Sequence, residues 1–530
     1  MVRLGDLVSP SSERVDPAST PAARFVGLEH IEPGTGRIVG YGMADETRST
    51  KTVFRTGDLL YGKLRPYLNK VAIPDFDGIC STDILVFPQS RYFRTRFLLY
   101  RLMSDDFVAY ANLHTSGVQH PRVHYEDMAV FPILFPPLRE QHRIVEAIEA
   151  QFSRLDAAVA ALKRAQANLE RYKASVLQAA CEGRLVPTED ELARQEGRDY
   201  EHASVLLQRI LAERRRKWEE AEWARLVEQA KKKVAQERRK AAGRPARLSD
   251  LAEEEWRELP GAEYAGYLPK GDRWKAKYEE PVGPDTEGLP ALPAGWVWTT
   301  VEQVGEVIGG LTKNQKRADY PLQLPYLRVA NVYADELRLD EVEIIGVQET
   351  ELARTLLTQD DLLVVEGNGS IDQIGRVAVW DGSIGTCVHQ NHIIKVRLVH
   401  PEMSRYALWW LLSPRGRREI VRVASSTSGL YTLSLSKVAV LPVPLAPQAE
   451  QRRIVDGIDF IMSLCRALAN AGRDNSIRAD RLRQSILKRA FEGRLVPQDP
   501  DDEPASVLLA RIRGEAEAEV TPTQDRLPGV

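Results

Sequence analysis

At 530 residues the chain is longer than a single hydrophobic core usually grows, so about three or four folded units are expected. It is 43% hydrophobic and 28% charged, the balance of an ordinary globular protein. With 72 Lys and Arg against 75 Asp and Glu, a net of −3, overall charge gives no sign of a polyanionic partner. Any nucleic-acid reading must rest on local clusters.

In chain order, residues 1–137 read as a mixed α/β head. Val53-Phe54, Asp58 to Tyr61 and Ile84 to Phe87 are short β-branched or aromatic runs punctuated by Gly and Pro, with a helical patch from Arg96 to Leu102. The head closes on Pro132, Pro136 and Pro137, which cannot continue a strand or helix interior. Residues 138–187 follow as a long amphipathic helix, from about Arg139 to Glu182. Ile148, Leu155, Leu162, Leu169 and Val176 recur every seventh residue, flanked by Ile144, Phe152, Val159 and Tyr172. That spacing paints one apolar stripe of the kind that pairs with a partner helix. Gly183 and Pro187 supply its stop.

Residues 188–290 are longer than a linker requires. Within 211–240 there are 11 Lys and Arg and 6 Asp and Glu, interrupted by Trp218 and Trp223. Two readings stand here: a basic helix touching DNA or a partner, and a solvated helical extension. The stretch from Pro281 to Pro293 reads as a flexible connection. Residues 291–446 form a second α/β head, with strand-like Leu362 to Val365 and Ile393 to Val396 and a helical patch from Arg405 to Leu412. It closes on Pro442, Pro444 and Pro447. A second long helix occupies 447–497, its stripe carried by Ile458, Met462, Cys465, Leu468 and Ile486. Gly472 stands where the first helix has Leu162, with Asn470, Asp474 and Asn475 nearby, so a kink or fraying is expected there. Residues 498–530 are a C-terminal tail.

The halves are copies. Glu182-Gly183-Arg184-Leu185-Val186-Pro187 recurs letter for letter 310 positions on, from Glu492 to Pro497. The same offset aligns Glu140-Gln141-His142-Arg143-Ile144-Val145 with Glu450-Gln451-Arg452-Arg453-Ile454-Val455. Ala203 to Leu207 returns as Ala505 to Leu509, Thr115-Ser116-Gly117 pairs with Thr427-Ser428-Gly429, and Gly57 to Leu60 with Asp360 to Leu363. The helical parts match closely while the heads share only scattered anchors. One scaffold with two diverged heads points to one mechanical task and two recognition specificities.

Catalytic signatures are missing from the sequence. The run Gly57 to Leu64 departs from a phosphate-binding loop, because Leu64 stands where a hydroxyl would ligate Mg²⁺. No Asp or Glu stands two before any lysine, and no (N/D)PP(Y/F) phrase occurs, which argues against a metal nuclease and an adenine methyltransferase. Gly367-Asn368-Gly369 lacks the third glycine of a dinucleotide loop. His389 and His392 would face opposite ways on a strand, with no third metal ligand beside them. Cys80, Cys181, Cys387 and Cys465 are far apart, which argues against a disulfide framework and fits a reducing compartment. With no signal-like N-terminus and no long apolar run, a soluble cytoplasmic protein is expected.

The assembled pattern resembles the specificity subunit of type I restriction–modification systems. Leu138 to Val145 and Pro447 to Val455 are similar to the phrase that opens that family's helices, and the twin EGRLVP segments to their ends. Leu292-Pro293-Ala294-Gly295-Trp296-Val297-Trp298 and Tyr326-Leu327-Arg328-Val329-Ala330-Asn331-Val332 are similar to phrases near the start of a second recognition domain. The resemblance implies two α/β target-recognition domains, each reading half of a bipartite DNA site. It further implies a tandem repeat with pseudo-two-fold symmetry, whose helices pair as an antiparallel coiled-coil spacer and dock methyltransferase subunits, two in number. Modification and helicase-nuclease chains would be the partners. S-adenosylmethionine, ATP and Mg would sit on them, with no cofactor on this chain and no catalysis by it. The rival reading is a protein-interaction scaffold with two α/β heads on a coiled coil, favoured by heads that are near neutral, 15 Lys and Arg against 15 Asp and Glu in residues 1–137.

Candidate DNA contacts follow from side-chain chemistry, since Arg and Lys match guanine, and Asn and Gln match adenine, in the major groove. In the first head they are Lys63, Arg65, Tyr67 and Asn69, then Ser116, Gln119 and Arg122. In the second they are Lys313, Asn314, Gln315, Lys316 and Arg317, then Asn368 and Ser428. Arg415, Arg417, Arg418 and Arg422 suit phosphates. Helix pairing is assigned to Ile148, Phe152, Leu155, Val159, Leu162 and Leu169 against Ile458, Met462, Cys465 and Ile486.

Overall fold

A computed structural model describes residues 1–427 and 429–520. The chain divides into two compact units, one of residues 1–166 with 469–530, the other of residues 167–468. Both long helices, Leu138–Cys181 and Gln448–Phe491, contribute a part to each unit. Each has 44 residues, a length of roughly 66 Å at about 1.5 Å per residue.

In the first unit, the strand Leu59–Gly62 lies between Val71–Ala72 and Ile84–Phe87, antiparallel to both. Leu59, Leu60 and Tyr61 are all buried, which is why the run is apolar without alternation. Its start is set by Gly57, at φ +85°, and by the Asp58 carboxylate, which accepts the Arg55 amide at 2.8 Å. A second sheet of five strands contains a parallel pair, Arg24–Val26 with Gly78–Cys80. Helices Thr95–Met103 and Asp105–Leu113 complete the head. Its core continues into Ile144, Ile148 and Phe152 of the first long helix and Ile486, Leu487 and Phe491 of the second. Leu508, from the C-terminal helix Ala505–Val520, belongs to the same core.

The second unit has a similar arrangement around its central strand, with sheets of four and three strands. Leu362–Val365 lies between Ile393–Leu398 and Val377–Val379, with Gly305–Gly309 beyond. Asp360 takes the place of Gly57 at φ +72°, and Asp361 accepts the Thr358 amide at 2.8 Å, as Asp58 does in the first head. A parallel pair again appears, Leu322–Leu327 with Val388–His389. Helices Ser404–Leu412 and Pro414–Val423 follow. Ala203, Leu206 and Ile210 of the helix Ala203–Ala241 join this core, the place Leu508 holds in the first unit.

Individual bonds recur with the repeat. Gln141 donates to the Pro136 carbonyl at 2.9 Å and Gln451 to that of Ala446 at 2.7 Å. Arg143 grips Asp502 at 2.7 Å, just past the second EGRLVP, while Arg453 grips Glu189 at 2.6 Å, just past the first. Both long helices end alike: Gly183 and Gly493 have positive φ, and the amides of Arg184 and Arg494 reach back five residues to Ala179 and Arg489, each at 2.8 Å.

Three expectations need correction. The second long helix is unbroken from 470 to 475, because Gly and Asn inside a 44-residue helix cost only about 1 kcal/mol each. The stripes are not buried along their length. Ile148, Phe152, Ile486, Ile458, Met462 and Cys465 are buried, whereas Leu155, Val159, Leu162 and Leu169 are half-buried and Tyr172 and Leu468 are exposed. The segment from Pro281 to Pro293 is tied down, since the carbonyls of Val282, Gly288 and Pro290 accept hydrogen bonds from Thr300, Arg415 and Trp298.

Along the first half of the basic helix the cations form within-helix pairs, as Arg216 with Glu220 and Lys217 with Glu213, while those of the second half meet another segment. The chain returns along the helix as an acidic, aromatic strap. Lys231, Lys232 and Lys233 lie over the rings of Tyr264, Trp256 and Tyr267, and Arg239 pairs with Glu255 at 2.9 Å. Trp274, 9% exposed, stacks with Trp218 and lies against Trp223. The tryptophans therefore clasp the strap, and cation–π contacts hold its far end. Trp274→Ala removes the shared ring, a loss of about 3–5 kcal/mol for a packed tryptophan. The expected result is rapid trypsin cleavage after Lys270, Lys275 and Lys277, resolved by mass spectrometry, with sites in the heads unchanged.

Candidate nucleic-acid interface

In each head, three segments converge where the central strand ends. In the first head the chain leaves Leu59–Gly62 through residues 63–69. Beside it run the approach to Ile84–Phe87 and a hairpin formed by Thr115–Ser116 and Arg122–Val123. Backbone bonds join them: the Lys63 amide donates to Asp83 at 2.9 Å, the Val123 amide to Lys63 at 3.1 Å and the Arg65 amide to Pro121 at 2.7 Å. The hairpin tip is solvent-exposed, with Val118 fully so.

The sequence candidates of this head do gather here, in different states. Arg65 is exposed on a backbone of φ +52°, and Tyr67 is 52% exposed beside it. Lys63 is half-buried, and Gln119 is exposed at the hairpin tip. Ser116 lies 3.0 Å from His124. Two candidates are engaged inside the protein. Asn69 donates to the Met103 carbonyl at 2.9 Å, and Arg122 clamps Asp83 through two bonds of 2.7 and 3.2 Å. The Arg122 guanidinium holds the Asp83 carboxyl below its ordinary pKa. Their side chains shape the loops.

In the second head, Lys313, Asn314, Gln315 and Lys316 are exposed, and Lys313 pairs with Glu343 at 2.7 Å. Arg317 is a correction: it is buried, with two bonds to Glu351 at 2.8 and 2.9 Å and others to the carbonyls of Thr312 and Gly346. A guanidinium so satisfied fixes the loop from within. Asn368 is half-buried, its carboxamide oxygen accepting the Ser370 amide at 2.9 Å. Ser428 lies outside the described residues. Among the arginines assigned to phosphates, Arg418 is exposed. Arg415 and Arg422 pair with Glu419 at 2.9 and 2.8 Å, and Arg417 donates to the Ile374 carbonyl.

Glu366 was not among the sequence candidates, and His392 was weighed only as a metal ligand; their carboxylate and ring nitrogen lie 2.9 Å apart beside the end of Leu362–Val365. The signal was available, since Glu366 directly follows the Leu362 to Val365 run that aligns with the first head. Among the described residues no group of three or more His, Cys, Asp and Glu is placed to hold a metal ion, and no helix is long and apolar enough to cross a membrane.

These features define a chain with two α/β heads, each exposing loops where its central strand ends. A family model described as the type I restriction modification DNA specificity domain matches residues 45–171, and the resemblance read from the paired sequence phrases is thereby borne out. The chain is 32% identical over 219 residues to the type I restriction enzyme EcoDI specificity subunit of Escherichia coli, covering 40% of this chain and 48% of that one. It is 28% identical over 207 residues to the EcoKI specificity subunit of Escherichia coli strain K12, covering 37% and 44%. These matches span about half the length of the curated relatives. A solved chain from work on complex assembly and conformational transition of the type I R-M system is similar at TM-score 0.59 and 21% identity, over 93% of this chain and 97% of that one. That likeness speaks for the fold.

Proposed function

We propose that this chain is the DNA sequence-specificity subunit of a type I restriction–modification complex and catalyses nothing itself. The observation that carries the reading is the contrast between the heads. The same backbone bonds hold both exposed corners, while the side chains they present differ. A scaffold kept twice with its contact residues changed is what reading two half-sites requires.

In this reading residues 1–137 and 291–446 are the target-recognition domains, and 138–187 and 447–497 the spacer helices. The insertion 188–290 braces the second head, and the tail 498–530 the first, through Leu508 and Ile512. Within the first unit, Ile144 and Ile148 share a core with Leu487 and Phe491, and Asp156 further along pairs with Arg483 further back. The order supports antiparallel pairing and an approximate two-fold repeat. On the second helix Phe460, Leu464 and Leu468, each four residues apart, are 71%, 53% and 55% exposed. That apolar row supports docking of a methyltransferase subunit. S-adenosylmethionine, ATP and Mg would then be held by partner chains, in the cytoplasm where chromosomal DNA lies.

Domain exchange tests the proposal. Replacing residues 1–137 with the corresponding head of another specificity subunit, in cells carrying the cognate methyltransferase, is expected to change one half of the methylated motif. Genome-wide methylation mapping reads the outcome. A motif that stays the same in both halves would remove DNA reading from the heads.

A further inference from the structure

The corner where the central strand ends can be superimposed between the heads bond by bond. Lys63 donates its amide to Asp83, and Glu366 donates its amide to His392, both at 2.9 Å. The carbonyl of Lys63 accepts from Val123, and that of Glu366 accepts from Leu433. Leu64 bridges to Arg122, and Gly367 pairs with Thr432. These pairings place Lys63 with Glu366, Arg65 with Asn368 and Asp83 with His392 as equivalent positions.

Chemistry at these positions is inverted. The first head presents an ammonium and a guanidinium, Lys63 and Arg65, with Arg122 clamped on Asp83 beside them. The second presents a carboxylate and a carboxamide, Glu366 and Asn368, with the exposed ring of His392 on the carboxylate. We infer that this shared corner holds the specificity determinants of both heads, Glu366 and His392 included, and that its inverted charge makes the two half-sites differ in base content. Lys63 and Arg65 donate to guanine O6 and N7, so the first half-site carries a guanine on the contacted strand. Glu366 accepts from the amino group of cytosine, and Asn368 pairs with adenine. The inference rests on the reading of the heads as DNA readers and names where in each head the reading is done.

Position 65 makes a clean test possible. Its φ of +52° suits asparagine better than arginine, so Arg65→Asn removes the guanidinium without straining the loop. The experiment selects from randomised DNA duplexes with the full chain bound to its cognate methyltransferase subunits. Three forms are compared: the natural chain, the pair Lys63→Glu with Arg65→Asn, and the pair Glu366→Lys with Asn368→Arg. Melting curves confirm that each form is folded. Each pair is expected to alter base preference in one half of the bipartite motif only, a different half for each, and to weaken binding to the natural motif at least tenfold. If the natural chain selects a bipartite motif and both pairs select the same one, the corner is not the reading site, although the DNA-reading function stands. If the natural chain selects no motif, the functional reading falls and the inference falls with it.

Discussion

Ending the chain at Pro497 is expected to unfold the first head while the second stays folded. The tail is remote in sequence from residues 1–137, yet it completes their unit. Leu508, 4% exposed, packs into the core of the first head with Ile512 beside it. Loss of one such leucine costs about 2–5 kcal/mol. Asp502, whose side chain is 3% exposed, is the partner of Arg143 at 2.7 Å. A turn of helix is pinned by the pair Glu503 and Arg511, just as Glu201 and Arg209 pin the helix that serves the second head. Together these losses are comparable with the about 5–15 kcal/mol that holds a domain folded. Hydrogen exchange should show protection in Leu59–Gly62 and Ile84–Phe87 falling by a hundredfold or more, with Leu362–Val365 unaffected. Leu508→Ala should move the same amides in the same direction by less. Unchanged protection in the shortened chain would show that the tail is dispensable for the first head.

This dependence was half legible in the sequence. The match between Ala203 to Leu207 and Ala505 to Leu509 is plain, but a repeat does not say which head its helix covers. The helices themselves were legible because their stops are chemical: Gly183 and Gly493 adopt the positive φ that other residues resist. Burial along them was not. Seven-residue spacing makes a stripe available and leaves open whether neighbours cover it, so half-buried Leu162 and exposed Leu468 look like Ile148 in a sequence. Contact residues were legible by chemistry and not by state. Arg317 and Arg65 read alike as loop arginines, and only the fold shows one locked on Glu351 and the other free to reach outward. The strap was not legible because the partners it offers Arg238 and Arg239, Glu263 and Glu255, lie 25 and 16 residues away on a segment without periodicity.

The second head is expected to be sensitive to pH where the first is not, for reasons set by two sheet positions. His389 pairs in parallel register with Leu327, and Lys395 faces Leu363 across the antiparallel sheet. The corresponding positions of the first head, facing Val26 and Leu60, are Cys80 and Val86. His389 is fully buried, its Nδ1–H donating to the Ile393 carbonyl at 2.9 Å and its Nε2 without a partner. Burial, helped by the nearby Lys395 ammonium, holds its pKa down to about 4. Lys395 is also fully buried, donating to the carbonyls of Arg354 and Leu356 at 2.7 and 2.9 Å. Burial lowers it to about 8.

The signs follow from which state takes up the proton. Between pH 6.5 and 4 the unfolded chain protonates His389 and the folded chain does not, so stability present above 6.5 is lost as pH falls, by about 3 kcal/mol. Between about 8 and 10.5 the unfolded chain keeps the Lys395 proton and the folded chain releases it, so stability rises with pH by a similar amount, about 3 kcal/mol. The molecule supplies its own probe, because all nine tryptophans lie between Trp218 and Trp410, within the second unit. Urea unfolding followed by tryptophan fluorescence should show a midpoint that falls below pH 6.5 and climbs above pH 8. His389→Cys, the residue of the first head, should flatten the acid limb, and Lys395→Met the alkaline one. A tryptophan-detected midpoint with the same pH profile in both variants would mean that other groups govern the stability of this head.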